Sequence, residues 1–167
     1  MILKTIVAVM ILSFAATGIC LADEIKGKVS VVNEEKKTVQ ISGVEIQTAD
    51  AWIENEQDYP LALDSLAVGD YIEVKGKFIG VAEIKAKKIE RTRPECGVVA
   101  GKITLIDTQK REIIISGIAI KVPADIWLEG PDHVKIPIEL FAPGYKVKCK
   151  GDWTGTSQLT AFKVTVD

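Results

Sequence analysis

Leu66-Ala67-Val68-Gly69-Asp70-Tyr71-Ile72-Glu73-Val74-Lys75-Gly76 is stated twice in this chain. The second statement is Phe141-Ala142-Pro143-Gly144-Tyr145-Lys146-Val147-Lys148-Cys149-Lys150-Gly151. In both, an apolar anchor leads into a glycine turn. Apolar residues then recur at every second position, the period of a strand with one buried face, and a glycine closes the run. The duplication extends outward in both directions. A shift of 74 places Gly27, Asn33 and Gly43 on Gly101, Asp107 and Gly117. A shift of 75 places Trp52, Glu54, Leu66, Gly69, Gly76, Gly80 and Ala86 on Trp127, Glu129, Phe141, Gly144, Gly151, Gly155 and Ala161. One inserted residue between the Gly43 and Trp52 regions reconciles the two offsets. A self-similarity of this length marks two copies of one small unit, 23–91 and 97–167, joined by a short linker at 92–96 that holds Pro94.

Each copy predicts five short strands. In the first, Ile25, Gly27, Val29 and Val31 alternate with Lys26, Lys28 and Ser30. The runs around Val39 and Ile41 and around Val44 and Ile46 flank Ser42-Gly43. That pair predicts a tight hairpin in which the glycine takes a positive φ. The Trp52 segment is less regular. The fourth strand begins at Tyr71 and the fifth near Glu83. In the fifth, Ala86 and Ile89 are three apart, as are Ala161 and Val164 in the second copy, and a bulge between them restores one inward face. Short strands separated by turns, in this order, predict an all-β chain of two tandem five-stranded OB-like antiparallel barrels.

The first 22 residues read differently. Lys4 precedes an apolar run from Ile6 to Leu12, and Cys20-Leu21-Ala22 precedes Asp23. A charged start, an apolar stretch and a small residue before the cut describe a signal peptide cleaved after Ala22, which places the protein in the periplasm or outside the cell. Two rivals stand beside it: lipidation of Cys20, disfavoured by Ile19 before it, and an uncleaved anchor of barely sufficient length. Cleavage removes Lys4 and no acid, leaving 20 of the 21 basic residues against 23 acidic ones, a net charge of −3. That balance gives no reason to expect a polyanionic nucleic acid as partner. The two cysteines left after cleavage, Cys96 and Cys149, form a disulfide candidate in an oxidising compartment, with a buried apolar Cys149 as the alternative.

The pattern Gly-x-(apolar), Ser-Gly-(apolar), Leu-x-x-Gly-Asp-x-(apolar)-x-Val-x-Gly and Ala-x-x-Ile resembles a family of exported bacterial domains of unknown function, DUF5666. The resemblance covers 24–91 and 97–166. The second copy departs from it where Tyr145 replaces Asp70. The family supplies no catalytic residues.

Little in the residues points to catalysis, a metal or a cofactor. His133 is the only histidine. The cysteines lack zinc spacing, Asp58, Asp64 and Asp70 lack calcium-loop spacing, and no Gly-x-Ser-x-Gly elbow is present. The middle strands carry no aromatic residue for stacking bases. Two features remain as ligand-binding candidates. Trp52 and Trp127 recur at matched sites, where burial would make each the cap of a core and exposure a platform for a sugar ring or peptide. Lys85, Lys87, Lys88 and Arg91, with Arg93, form a basic run that suits either a solvated strand edge or contact with anionic headgroups at a membrane surface. The resulting expectation is a non-catalytic binding module of the cell envelope whose ligand is a glycan, a lipid headgroup or a protein. The alternative is a structural or assembly subunit of an envelope complex.

Overall fold

A computed structural model describes residues 22–166. The stretch read as a signal peptide lies outside them up to Leu21, Cys20 included. The described chain holds fourteen strands, three short 3₁₀ turns and no α-helix. The first copy supplies β1 (Asp23–Asn33), β2 (Thr38–Ile41), β3 (Val44–Gln47), β4 (Trp52–Asn55), β5 (Tyr71–Gly80) and β6 (Glu83–Thr92). The second supplies β7 (Gly97–Lys102), β8 (Leu105–Asp107), β9 (Glu112–Ile115), β10 (Ile118–Lys121), β11 (Leu128–Glu129), β12 (Lys135–Ile136), β13 (Lys146–Gly155) and β14 (Gln158–Val166).

In the first copy β1 pairs antiparallel with both β2 and β5. β2 pairs with β3, β3 runs parallel to β6, and β6 pairs back to β5, so the ladder returns to β1. The second copy repeats the order through β9, β10, β14, β13 and β7, with its first strand split into β7 and β8. The segments that read as irregular, β4 and β11, add parallel to β6 and β14.

The all-β expectation holds. Two separate five-stranded units on a linker do not describe the molecule, because β1 and β7 pair antiparallel and merge everything into one continuous sheet. The reason lies in the first strand of each copy. Gly97, Val98, Val99, Ala100 and Gly101 are all buried, so both faces of β7 are covered, and Ile25, Lys26 and Gly27 are buried on β1. Alternation reports one covered face and is silent about the second. One contiguous core, rich in isoleucine, runs through both copies.

Local predictions fare unevenly. Both Ser-Gly hairpins form, and the serine as well as the glycine takes positive φ: Ser42 49° and Gly43 80°, Ser116 49° and Gly117 82°. Two positive φ values in a two-residue turn match the right-handed twist of the flanking strands. Both bulges form as well. The register passes from Lys75↔Lys88 to Gly76↔Ala86 and from Lys150↔Lys163 to Gly151↔Ala161, leaving Lys87 and Phe162 as the extra residues. Val31, placed inward by the alternation, points outward instead, because β1 has its own irregularity between Val29 and Val31.

Candidate functional site

The two copies grip each other reciprocally. At the β5–β6 turn, the Ala82 N–H donates to the Ser116 carbonyl (2.6 Å); at the β13–β14 turn, the Ser157 N–H donates to the Ser42 carbonyl (2.6 Å). Each long hairpin therefore ends on the tight hairpin of the other copy. Side chains follow the same rule. Trp153, on β13, packs against Gly27 of the first copy and donates its indole N–H to the Lys26 carbonyl (2.9 Å). Phe78, on β5, packs against Gly101 of the second copy. Gly27 and Gly101 leave the room these rings occupy. A side chain at either position would collide with its ring or with a core isoleucine.

This exchange builds two matched clefts, one on each side of the β1–β7 seam. The first, of about 570 Å³, is walled by Trp153 and Tyr71, with Lys28, Ser30, Glu95 and Asp152 around them. The second, of about 490 Å³, is walled by Phe78, with Lys77, Lys87, Lys102, Lys146 and Asp23. Under the sequence offsets Trp153 corresponds to Phe78, Asp152 to Lys77, Tyr71 to Lys146, Lys28 to Lys102 and Ser30 to Thr104. One shape is lined in one place by aromatics and carboxylates and in the other by lysines. Beside the first cleft, Lys26 is buried and bonded to Glu95 (2.6 Å), with Glu73 at 3.7 Å. Burial alone would lower the Lys26 pKa, but the hydrogen bond to Glu95 and the charges of Glu95 and Glu73 outweigh it and hold it above 10.5.

The basic run of β6 is not one patch. Lys85 pairs with Asp50 (2.8 Å), Lys88 with Glu54 (2.5 Å), Arg91 with Asp70 (3.8 Å) and Arg93 with Glu56 (3.0 Å). Lys87 alone of the run lines the lysine cleft. The bulge is the cause, since its extra residue is re-aimed relative to its neighbours.

The matched tryptophans are exposed, Trp52 by 55% and Trp127 by 62%, so the core-cap reading fails. The core is closed by isoleucine and valine instead. Each tryptophan begins a repeated Trp-x-Glu cluster. Trp52 donates to Glu54 (2.6 Å), and the lysine in the matching place to Lys88 is Lys163, which meets Glu129 at 3.0 Å. Lys135 sits 4.4 Å over the Trp127 ring, a cation–π contact. Hydrogen bonding from Lys88, then from Trp52, holds the Glu54 carboxyl below its ordinary value, and hydrogen bonding from Lys163 does the same for Glu129. His133, exposed in the turn at Pro131–His133, has its Nδ1 3.5 Å from the Glu129 carboxylate.

The disulfide is not formed. Cys149 stands opposite Val99, and Gly97 stands opposite Gly151, so Cys96 falls beyond the Gly151 position. The two α-carbons are thereby offset by about 10 Å along the strand direction, past the reach of roughly 7 Å for a bridge. Cys149 is a buried core residue, as the alternative had it. Among the described residues no cluster of three or more His, Cys, Asp or Glu could hold a metal ion. Among them, too, no helix is long and apolar enough to cross a membrane.

Sequence reasoning missed Trp153, Tyr71 and Lys77 as cleft residues. The available signal was the pair that follows each closing glycine, Lys77-Phe78 and Asp152-Trp153, where the copies agree on an aromatic and disagree on charge.

No curated protein and no solved structure matches this chain. Residues 26–90 match the family described as Domain of unknown function (DUF5666).

Proposed function

We propose that this protein is an exported, non-catalytic binding module of the cell envelope, and that its ligand is a glycan held in the Trp153–Tyr71 cleft. The observation that carries the reading is the composition of that cleft: a half-buried indole and phenol beside Asp152, Glu95 and Ser30 in about 570 Å³. An aromatic face accepts the apolar C–H face of a sugar ring, and carboxylates and hydroxyls accept and donate to its hydroxyl groups. The strand ring β1-β2-β3-β6-β5, with its parallel β3–β6 contact, supports reading each copy as an OB-like barrel. The 74- and 75-residue offsets support reading 97–166 as a second copy of the matched family domain. The signal-peptide pattern supports export.

An assembly subunit is the second reading, favoured by the exposed Trp52, which opens β4, and Trp127, which precedes β11. Titration with N-acetylglucosamine and hexose oligosaccharides, followed by tryptophan fluorescence and calorimetry, separates the two. Saturable binding weakened about tenfold by Tyr71→Ala supports the glycan reading, that factor being roughly one lost stacking contact. Absence of binding across the panel, with a stable oligomer in light scattering, supports assembly instead.

A further inference from the structure

The lysine cleft has no account in a glycan reading. We infer that it is a second, independent site, and that it takes the phosphate group of an anionic ligand. Lys77, Lys87, Lys102 and Lys146 line one cleft of about 490 Å³, with Asp23 as the one acid among the described residues there. The Asp23 carboxylate is already engaged, accepting from the Phe78 N–H (2.9 Å). Among the described residues Lys77, Lys87 and Lys102 have no ion-pair partner, in contrast to Lys85, Lys88, Lys75 and Lys148, each held by a glutamate or aspartate. Unpaired like charges gathered in one concavity repel and raise the local potential. They come from three separate strands and from the bulge that re-aims Lys87, so no single exposed edge explains them.

The first cleft is the internal control. The fold is the same there, yet Asp152 replaces Lys77 and Tyr71 replaces Lys146, and Phe162, at the position matching Lys87, does not line the cleft. Lys28 stands in the place of Lys102, so the scaffold requires none of Lys77, Lys87 and Lys146. The chemistry also distinguishes between anions. Among the described residues no arginine lines the cleft, so they offer no planar fork to match a carboxylate, whereas several point charges suit the dispersed charge of a phosphate or pyrophosphate. Thr104 and Ser116 donate their hydroxyls to the Ile114 and Gly80 carbonyls and Lys146 donates to the Ala22 carbonyl (3.5 Å), leaving the ammonium groups of Lys77, Lys87 and Lys102 as the available side-chain donors.

The test uses inorganic pyrophosphate by calorimetry at low and at moderate salt, and co-sedimentation with phosphatidylglycerol against phosphatidylcholine vesicles. Lys77→Gln with Lys102→Gln removes two charges from the cleft; Lys36→Gln with Lys150→Gln removes two from exposed positions elsewhere. Pyrophosphate is expected to bind, more weakly as salt rises, and the cleft variant is expected to lose about 10- to 30-fold in affinity, on the scale of two lysines at an anionic surface. The remote variant should bind as the parent does. Pyrophosphate binding with phosphatidylglycerol association identifies a lipid headgroup as the source. Pyrophosphate binding without vesicle association identifies a soluble phosphate. Equal losses in both variants, or no binding of either probe at low salt, overturns the site. Neither lysine lies in the Trp153 cleft, so failure here and failure of the glycan reading are separate results.

Discussion

The Trp153 cleft and the Lys77 cleft are one construction lined in two ways. Both are made where a long hairpin of one copy crosses the tight hairpin of the other, and both have an aromatic ring lodged over a glycine of the opposite copy. The residues that build them agree between copies: Gly27 with Gly101, Gly76 with Gly151, Ser42 with Ser116. Among the residues that line them, Lys28 with Lys102 and Ser30 with Thr104 keep their chemistry, whereas Asp152 against Lys77 and Tyr71 against Lys146 do not. Scaffold positions should therefore respond alike to mutation in the two copies, and lining positions should respond differently. That contrast separates what the repeated unit needs to fold from what differs between the two cleft linings.

The largest expected effect falls on scaffold positions. A methyl group at Gly76 would run into the Lys85 carbonyl oxygen, and one at Gly151 into the Thr160 carbonyl oxygen. Both obstacles are backbone, pinned by the bulge and unable to swing aside. Gly76→Ala and Gly151→Ala should each cost about 3 kcal/mol or more, as overpacking against fixed atoms does. Urea denaturation of the two variants checks this. A large loss in one copy and none in the other would break the equivalence on which the comparison rests.

The acid limb of stability comes next. Hydrogen bonding from Lys88 and from Lys163 lowers the carboxyls of the matched pair Glu54 and Glu129. Glu73 has no acidic counterpart, since Lys148 stands in its place. Burial would raise the Glu73 carboxyl, but bonding from Lys75 and the charges of Lys75, Lys26 and Lys148 lower it. A carboxyl lowered by folding stabilises the protein above its unfolded value, here 4.5, and that stability is lost as pH falls through the lowered folded values. Tm should hold from neutral pH to about pH 5 and fall below it. Glu54→Gln and Glu129→Gln should flatten that fall similarly, and Glu73→Gln should flatten it with no partner effect in the second copy. A Tm equal at pH 3 and pH 6 would mean these pairs contribute nothing measurable.

The sequence carried the repeats, the hairpins and the bulges because each is a local matter. Ser42-Gly43 specifies its turn within two residues, and the spacing of Ala86 and Ile89 betrays an extra residue between them. The reciprocal grip was not legible. Gly27 reads the same whether it eases a strand, makes a turn or leaves room for Trp153 on a strand 126 residues away. Alternation in β1 reports an apolar face without naming what covers it, so the β1–β7 seam stayed hidden. The exposure of Trp52 was equally out of reach, since a tryptophan at a strand end is compatible with a core cap and with a platform. Of the candidate lysines, only Lys87 reaches a cleft, and the bulge that sends it there was visible while its destination was not.

The smallest expected effect concerns a core position where the copies differ. Cys149 stands between Val99 and Val164, and Val74, its counterpart, stands between Ile25 and Ile89. All six are fully buried. Each neighbour in the second copy is thus one methylene smaller, as Cys149 is itself smaller than valine. The site in the second copy is built of smaller side chains than its match in the first. Cys149→Val adds roughly one methyl-sized group to a site with smaller walls, so it should shift stability by less than about 1 kcal/mol in either direction. Val74→Cys removes that volume from between two isoleucines and should cost more, on the order of 1 kcal/mol, because the larger walls cannot close over the gap. Adding a reductant should leave the Tm of the parent protein unchanged, since Cys149 is not joined to Cys96. Urea midpoints for the two swaps, with the parent measured in and out of dithiothreitol, read all three. If Cys149→Val costs several times as much as Val74→Cys, the sulfur has a role in the second copy that volume does not explain, and the two cores are not variants of one packing.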